Sequence, residues 1–474
     1  MNGKQKAQLA ILAGLTVMSM SAHAFDVLRA EQGISATAGG TIVPVCQFNT
    51  APSRPLRLQE AVERTLCGNP KTREAWAAVK AQAAGVGVAR AAYLPQISAN
   101  WQGVRENSVT NIENHPQLGS DINANVRSAG VSLNWMLYDF GGREASLRNA
   151  NALLEAARAT QDATLQDFFA QAAKDYYAAQ AAMGELQAAQ EVEAMTRQGM
   201  EAAQVRADKG VVPITDALQA QTQHEQAVFS LTKAQSDAQT ALGTLAASMS
   251  LDPSMPLEVP PVTEGVMTGK TFSEPVAQMI REVEQSHPSV RAARAQYEAA
   301  QAKVNQTRAQ GLPSISLVAK YTQNNQPQSE GLGLPTFPAT GHEAYIGVQV
   351  SIPLFEGFGR HYQIDQAKAQ AERQADVIDE AKQKVGLDVW ASYQTLTGAT
   401  QNAENSANLL AIAQRSYEAA RHRYDAGVGN ILELMNTQAA LATAKQRRVQ
   451  ALADWDNARV DLAAKLGALG RQSF

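Results

Sequence analysis

Cysteine is nearly missing from this chain of 474 residues, which holds only Cys46 and Cys67. The seven histidines never fall at metal-ligand spacing. Aromatic residues are scarce at 6 %. Ala and Gln are used heavily instead, a composition that favours long helices with shallow packing over a thick globular core. Long apolar runs are lacking too. Beyond residue 24 no stretch holds 18 consecutive apolar residues, so a spanning helix is excluded and any membrane embedding must use strands.

Positive charge is also in short supply. Residues 1–24 read as a secretory leader: Lys4 and Lys6 are its basic start, Leu9 to Met20 its apolar run and Ala22-His23-Ala24 its cleavage site. Losing those two lysines from 41 basic residues leaves 39 against 45 acidic ones, a net charge of −6 that argues against nucleic acid as a partner. No catalytic signature stands out. Gly269-Lys270-Thr271 ends like a phosphate-binding loop, yet Glu264 occupies the place of its first glycine and no apolar strand precedes it. His342-Glu343 has no second histidine to complete a metal pair. Neither an enzyme nor a cofactor or metal site is therefore expected. An exported chain meets an oxidising compartment, so a Cys46–Cys67 disulfide tying an N-terminal arm (25–57) to the first helix is expected.

What the sequence does contain, it contains twice. Arg206-Ala207-Asp208-Lys209-Gly210-Val211-Val212-Pro213-Ile214-Thr215-Asp216 returns 217 positions later as Arg423-Tyr424-Asp425-Ala426-Gly427-Val428-Gly429-Asn430-Ile431-Leu432-Glu433. In each copy a helical run stops at a glycine, and a second run opens with a small polar residue and a carboxylate, so each copy reads as the tip of a helical hairpin. The first repeat spans 58–250, with a strand hairpin at 94–138, a long helix at 142–210 and a return helix at 215–250. A linker rich in Pro and Gly (251–272) leads to the second repeat, 273–466, with a strand hairpin at 312–354, a long helix at 359–426 and a return helix at 431–466. Residues 467–474 are a tail.

The strand hairpins carry the membrane signal. Ile97, Ala99 and Trp101 alternate with Gln96, Ser98 and Asn100, and Ile315, Leu317 and Tyr321 alternate with Ser314, Ser316 and Lys320. One apolar and one polar face, in four strands of about ten residues, fit an outer-membrane barrel with lipid outside and water inside. Four strands cannot close a barrel, because about eight is the minimum, so several chains must pool theirs. A soluble sheet over a helical core and a periplasmic coiled-coil scaffold are the competing readings.

The duplicated hairpins, the two Gly-Val tips and the Leu-Tyr-Asp and Leu-Phe-Glu turns before each long helix (Leu137-Tyr138-Asp139, Leu354-Phe355-Glu356) resemble the TolC family of outer-membrane efflux proteins. That resemblance implies a homotrimer whose pooled strands form a barrel in outer-membrane lipid, continuing into a long periplasmic barrel of helices. It implies as partners a periplasmic adaptor and an inner-membrane pump, either an ABC exporter or a proton-driven one. Within the family the chain is most similar to components of cyclolysin-type, type I toxin secretion, with multidrug efflux the other reading. Carried over by position, Gly210, Val211, Gly427 and Val428 are the tips that meet the adaptor. Asp216, Thr215 and Tyr424 match a latch that keeps the tip shut, although the latch arginine is replaced by Gly429. Glu433 and Asn436 stand where family members carry acidic rings at the pore constriction.

Overall fold

The structure is a computed structural model that describes residue 28, residues 52–261, 275–326 and 339–467, and residue 469. The leader, Cys46 and most of the arm, much of the linker with Gly269-Lys270-Thr271, and the tail beyond 469 lie outside the described residues. Among them the chain runs α1 (Leu58–Gly68), α2 (Pro70–Ala91), β1 (Gln96–Thr110), β2 (Ser120–Tyr138), α3 (Gly142–Asp208) and α4 (Ile214–Ser248). The same order then repeats: α5 (Val276–Ser286), α6 (Pro288–Ala309), β3 (Ser314–Asn324), β4 (Gly341–Ser351), α7 (Gly359–Asp425) and α8 (Ile431–Lys465). Matched helices have equal lengths of 11, 22, 67 and 35 residues in the two halves. Each short pair breaks at a proline. Pro70 and Pro288 open the second helix, where a missing N–H costs nothing, and Asn69 Oδ1 or His287 Nδ1 accepts the exposed amide two residues on.

The chain divides into two compact bodies. Among the described residues, one lies within 80–151 and 305–361 and the other within 52–79, 152–304 and 362–469. The first is built on an antiparallel sheet in the order β1-β2-β3-β4. Its register aligns the alternation across strands: Ala99 faces Val131, Val131 faces Tyr321, Leu133 faces Ala319, and Ala319 faces Ile346. The resulting apolar face is bare, with Ile97, Trp101 and Ile346 68, 73 and 75 % exposed. A soluble sheet would bury that face on a helical layer; an apolar surface this large marks contact with lipid or another chain. On the opposite face Ser98 and Ser132 share a hydrogen bond of 2.8 Å, and Lys320 pairs with Glu343 at 3.0 Å. Among the described residues β1 and β4 do not pair, so both edges stay open to further strands.

Two features of this body differ from the sequence reading. β1 and β2 have 15 and 19 residues where about ten were expected, and the pairing runs on through Asn107, opposite Asn123. The ladder continues past the apolar segment because backbone pairing needs no apolar side chain; only the alternation stops. The second is an aromatic cluster at the turns into α3 and α7. Tyr138 and Phe140 meet edge to face at 4.7 Å, as do Phe355 and Phe358 at 5.5 Å, and all four are exposed. Phe140 and Phe358 take left-handed backbone angles (φ 50° and 62°), a costly conformation for a bulky residue that aims the rings outward, as in the aromatic girdle of a membrane barrel. Arg143 and Arg360 brace the turns through Asp139 and Glu356.

In the helical body the core is thin and mostly alanine. α1 packs on α3 through Val62, Leu66, Leu165 and Phe169, with Val460 of α8 beside them. α5 packs on α7 through Met279, Val283, Val385 and Val389, with Leu462 of α8. α8 is stitched to both long helices, by Lys445 to Glu191 on α3 and by Arg448 to the Ala403 carbonyl on α7. Cys67, half-buried near the end of α1, is disulfide-bonded.

Candidate functional site at the hairpin tips

Both long helices end in the same closure. Gly210 (φ +72°) donates its N–H to Ala207 O at 2.9 Å and Val211 donates to Arg206 O at 2.9 Å. Gly427 (φ +76°) and Val428 repeat these bonds to Tyr424 O at 3.1 Å and Arg423 O at 3.0 Å. This paired pattern requires a left-handed residue, hence glycine, and usually folds the next apolar residue back onto its helix. Here the valines stay out: Val211 is 70 % exposed and Val428 72 %.

The first returning helix starts differently from the sequence reading. Thr215 is not the cap; Pro213 holds that position, and Thr215 lies exposed in the first turn of α4. α8 is capped by Asn430, whose side chain accepts the Leu432 N–H at 2.9 Å. Asp216 and Glu433 occupy the third helical position in each copy, where a carboxylate is stabilised by the helix dipole.

The two copies part company at their arginines. Arg423 pairs with Glu433 of its own hairpin at 3.2 Å. Its counterpart Arg206 ignores Asp216 and reaches the other hairpin instead. There its guanidinium lies 4.4 Å from the centre of the Tyr424 ring and donates to Tyr424 O at 2.8 Å and Asp425 O at 3.4 Å. Asp216 makes no ion pair or side-chain hydrogen bond among the described residues. Tyr424 is buried among Tyr417, Ala420, Ile431 and Leu434, with its hydroxyl unpaired. Asp216, Thr215 and Tyr424 are thus not joined within one chain. Arg206, which the latch reading did not include, is the cation that reaches Tyr424; its sequence signal was its place at the head of the doubled motif.

Gly429 has a steric cause. A Cβ there would sit 2.6 Å from Tyr424 N and 2.9 Å from Arg423 C, both backbone atoms. The turn folds so tightly onto the end of α7 that no side chain fits. Glu433 is partly exposed and Asn436 exposed on α8, and Ile214, Leu218 and Leu432 add exposed apolar surface around the tip valines.

A bare apolar sheet face with open edges, coupled in sequence to doubled helical hairpins whose tips are held out, defines an export channel of the outer membrane. The profile of the family described as "Outer membrane efflux protein" matches residues 61–250 and again 279–468. The chain is 33 % identical to CyaE of Bordetella pertussis across 88 % of this chain and 85 % of that protein. It is 27 % identical to the outer membrane efflux protein BepC of Brucella suis, across 88 and 87 %. The Campylobacter jejuni CmeC outer membrane channel superposes with a TM-score of 0.74 at 16 % identity, covering 88 % of this chain and 86 % of that one. The chain belongs to the outer-membrane efflux protein family. It is a non-enzymatic transport channel of the outer membrane that extends into the periplasm. Channels of this kind form homotrimers and work with periplasmic adaptors and inner-membrane pumps.

Proposed function

We propose that the protein is the exit duct of a type I secretion system that exports a protein toxin, fed by an ABC exporter through a periplasmic adaptor. The observation that carries this reading is its higher identity to CyaE than to the efflux protein BepC, in line with the cyclolysin-type resemblance of the sequence. The adaptor would seat on the Gly210-Val211 and Gly427-Val428 tips, whose exposed valines offer an apolar contact. The relatives named for efflux support a second reading, a multidrug channel served by a proton-driven pump. A deletion strain separates the two. Loss of a secreted toxin from the medium with unchanged drug tolerance is expected, whereas hypersensitivity to several drugs with normal toxin secretion would overturn the proposal.

Glu433 would add charge selectivity. In a threefold assembly three Glu433 carboxylates would ring the narrow end of the pore and favour cations, each balanced in part by Arg423 at 3.2 Å. Replacing Glu433 with Gln removes the carboxylate and leaves Arg423 uncompensated. The reversal potential in a planar bilayer under a salt gradient should therefore shift towards anions; an unchanged potential would remove Glu433 from the constriction.

A further inference from the structure

We propose that a polar groove on the helical body is a binding site for an extended polypeptide segment of mixed charge, a station that cargo occupies on its way through the duct. The proposal rests on the secretion reading above and adds the surface that recognises its cargo. The groove is a cavity of about 700 Å³ where α3, α7 and α8 converge. Gln171 and Lys174 of α3, Gln394 and Asn402 of α7, and Asn457 and Asp461 of α8 line it. On α8 the lining positions 454, 457, 461 and 465 recur every three or four residues and so share one face of the helix. Ala463, on the opposite side of α8, packs into the cluster that α1 makes with α3. The groove therefore lies on the face that α1 leaves uncovered.

The chemistry of the walls selects the occupant. The side-chain amides of Gln171, Gln394, Asn402 and Asn457 each donate and accept hydrogen bonds, as the peptide group does. Asn457 Oδ1 is buried with no hydrogen-bond partner among the described residues, an acceptor that a ligand N–H would satisfy. Charges of both signs sit beside the amides, and two are already engaged: Asp461 accepts the Ser392 hydroxyl at 2.5 Å, and Lys465 faces Asp388 at 3.9 Å. Asp167 and Lys174, about two turns apart on α3, form no ion pair among the described residues and offer a ligand one charge of each sign. An apolar drug seated here would strip these groups of water and give them no partner, which is costly. A peptide backbone with ionic side chains answers them. It can also come close, because Gly398 lines the groove and a Cβ there would meet nothing within 4 Å.

The test uses purified full-length protein and a fluorescent Gly/Ser peptide bearing Lys and Asp side chains, with affinity read by anisotropy and pore formation by single-channel recording. Gly398→Leu fills the groove and raises helix propensity, so the protein should fold and conduct while peptide affinity falls by about tenfold or more. Thr397→Leu adds similar bulk to an exposed position of the same helix outside the groove and should bind as the parent does. Asn457→Leu removes the unpaired acceptor at similar volume, and should keep the heat-modifiable oligomer while lowering affinity about fivefold. Unchanged affinity in Gly398→Leu, an equal loss in Thr397→Leu, or a parent that conducts but binds no peptide would overturn the groove and leave the channel standing. Ethidium bound by the parent and lost in Gly398→Leu, with no peptide bound, would overturn it in favour of an apolar cation. The secretion reading fails separately, through a deletion strain that still exports its toxin.

Discussion

Gly429→Arg, the change that restores the residue the family resemblance leads one to expect, will loosen the tip and not latch it. The first atom of any side chain at 429 lands 2.6 Å from Tyr424 N, 2.9 Å from Arg423 C and 3.0 Å from Tyr424 Cα. Those atoms form the last turn of α7, which also holds the carbonyls receiving Gly427 N–H and Val428 N–H. The clash therefore cannot be relieved by turning a side chain; the closure has to open. A backbone displacement of this kind costs on the order of 1–3 kcal/mol. It is concentrated on the segment that carries the Tyr424 carbonyl gripped by Arg206. Limited proteolysis should show a new cut between 424 and 432, and resting conductance should rise. Gly429→Ala decides whether the cause is steric, since its Cβ alone makes the clash and should reproduce most of the effect. If alanine is neutral and arginine reduces conductance below the parent's, the steric account is wrong and the family latch is available here after all.

Much of this molecule is legible in the sequence because its signals are local and doubled. The switch from helical to alternating period at Leu94-Pro95 and at Leu312-Pro313, the glycines at 210 and 427, and the 217-residue offset each depend on neighbours a few positions away. Strand extent was less legible. Backbone pairing carries β1 as far as Thr110, well beyond the last clean apolar alternation, and nothing in the side chains of 105–110 announces it. The tip contacts were illegible for another reason. Arg206 and Arg423 have the same place in the motif and the same carboxylate position ten residues on, so the sequence gives no ground for one to pair locally and the other to cross to the next hairpin. What separates them is the aromatic ring at 424 against the methyl at 207, a difference that matters only once the hairpins are side by side. The left-handed turns at Phe140 and Phe358 were hidden similarly: the neighbouring glycines suggested a turn, but not that the aromatic residues would share its strained angles and point outward.

Val211→Asp combined with Val428→Asp will abolish export without disturbing the channel. Both positions follow the left-handed glycine of a helix closure, where an apolar residue normally packs back on its own helix, yet these two are 70 and 72 % exposed. Substitutions at such sites usually change stability by no more than about 0.5 kcal/mol, so the double variant should fold, migrate as a heat-modifiable oligomer and conduct ions like the parent. Ile214, Leu218 and Leu432, at 59, 54 and 48 % exposed, surround the valines with more apolar surface. A partner hairpin seated there would have to bury a carboxylate with no arginine placed to receive it: Arg423 is held by Glu433 and Arg206 by Tyr424. An unpaired carboxylate buried in an interface costs several kcal/mol, and a threefold assembly would repeat it at every tip. Export of the native cargo should fall at least a hundredfold, with loss of site-specific crosslinking to the adaptor, while Val211→Thr with Val428→Thr, similar in shape and uncharged, retains most activity. Full export by the double aspartate variant would mean that the partner does not sit on the tips, and that the exposed valines serve something other than docking.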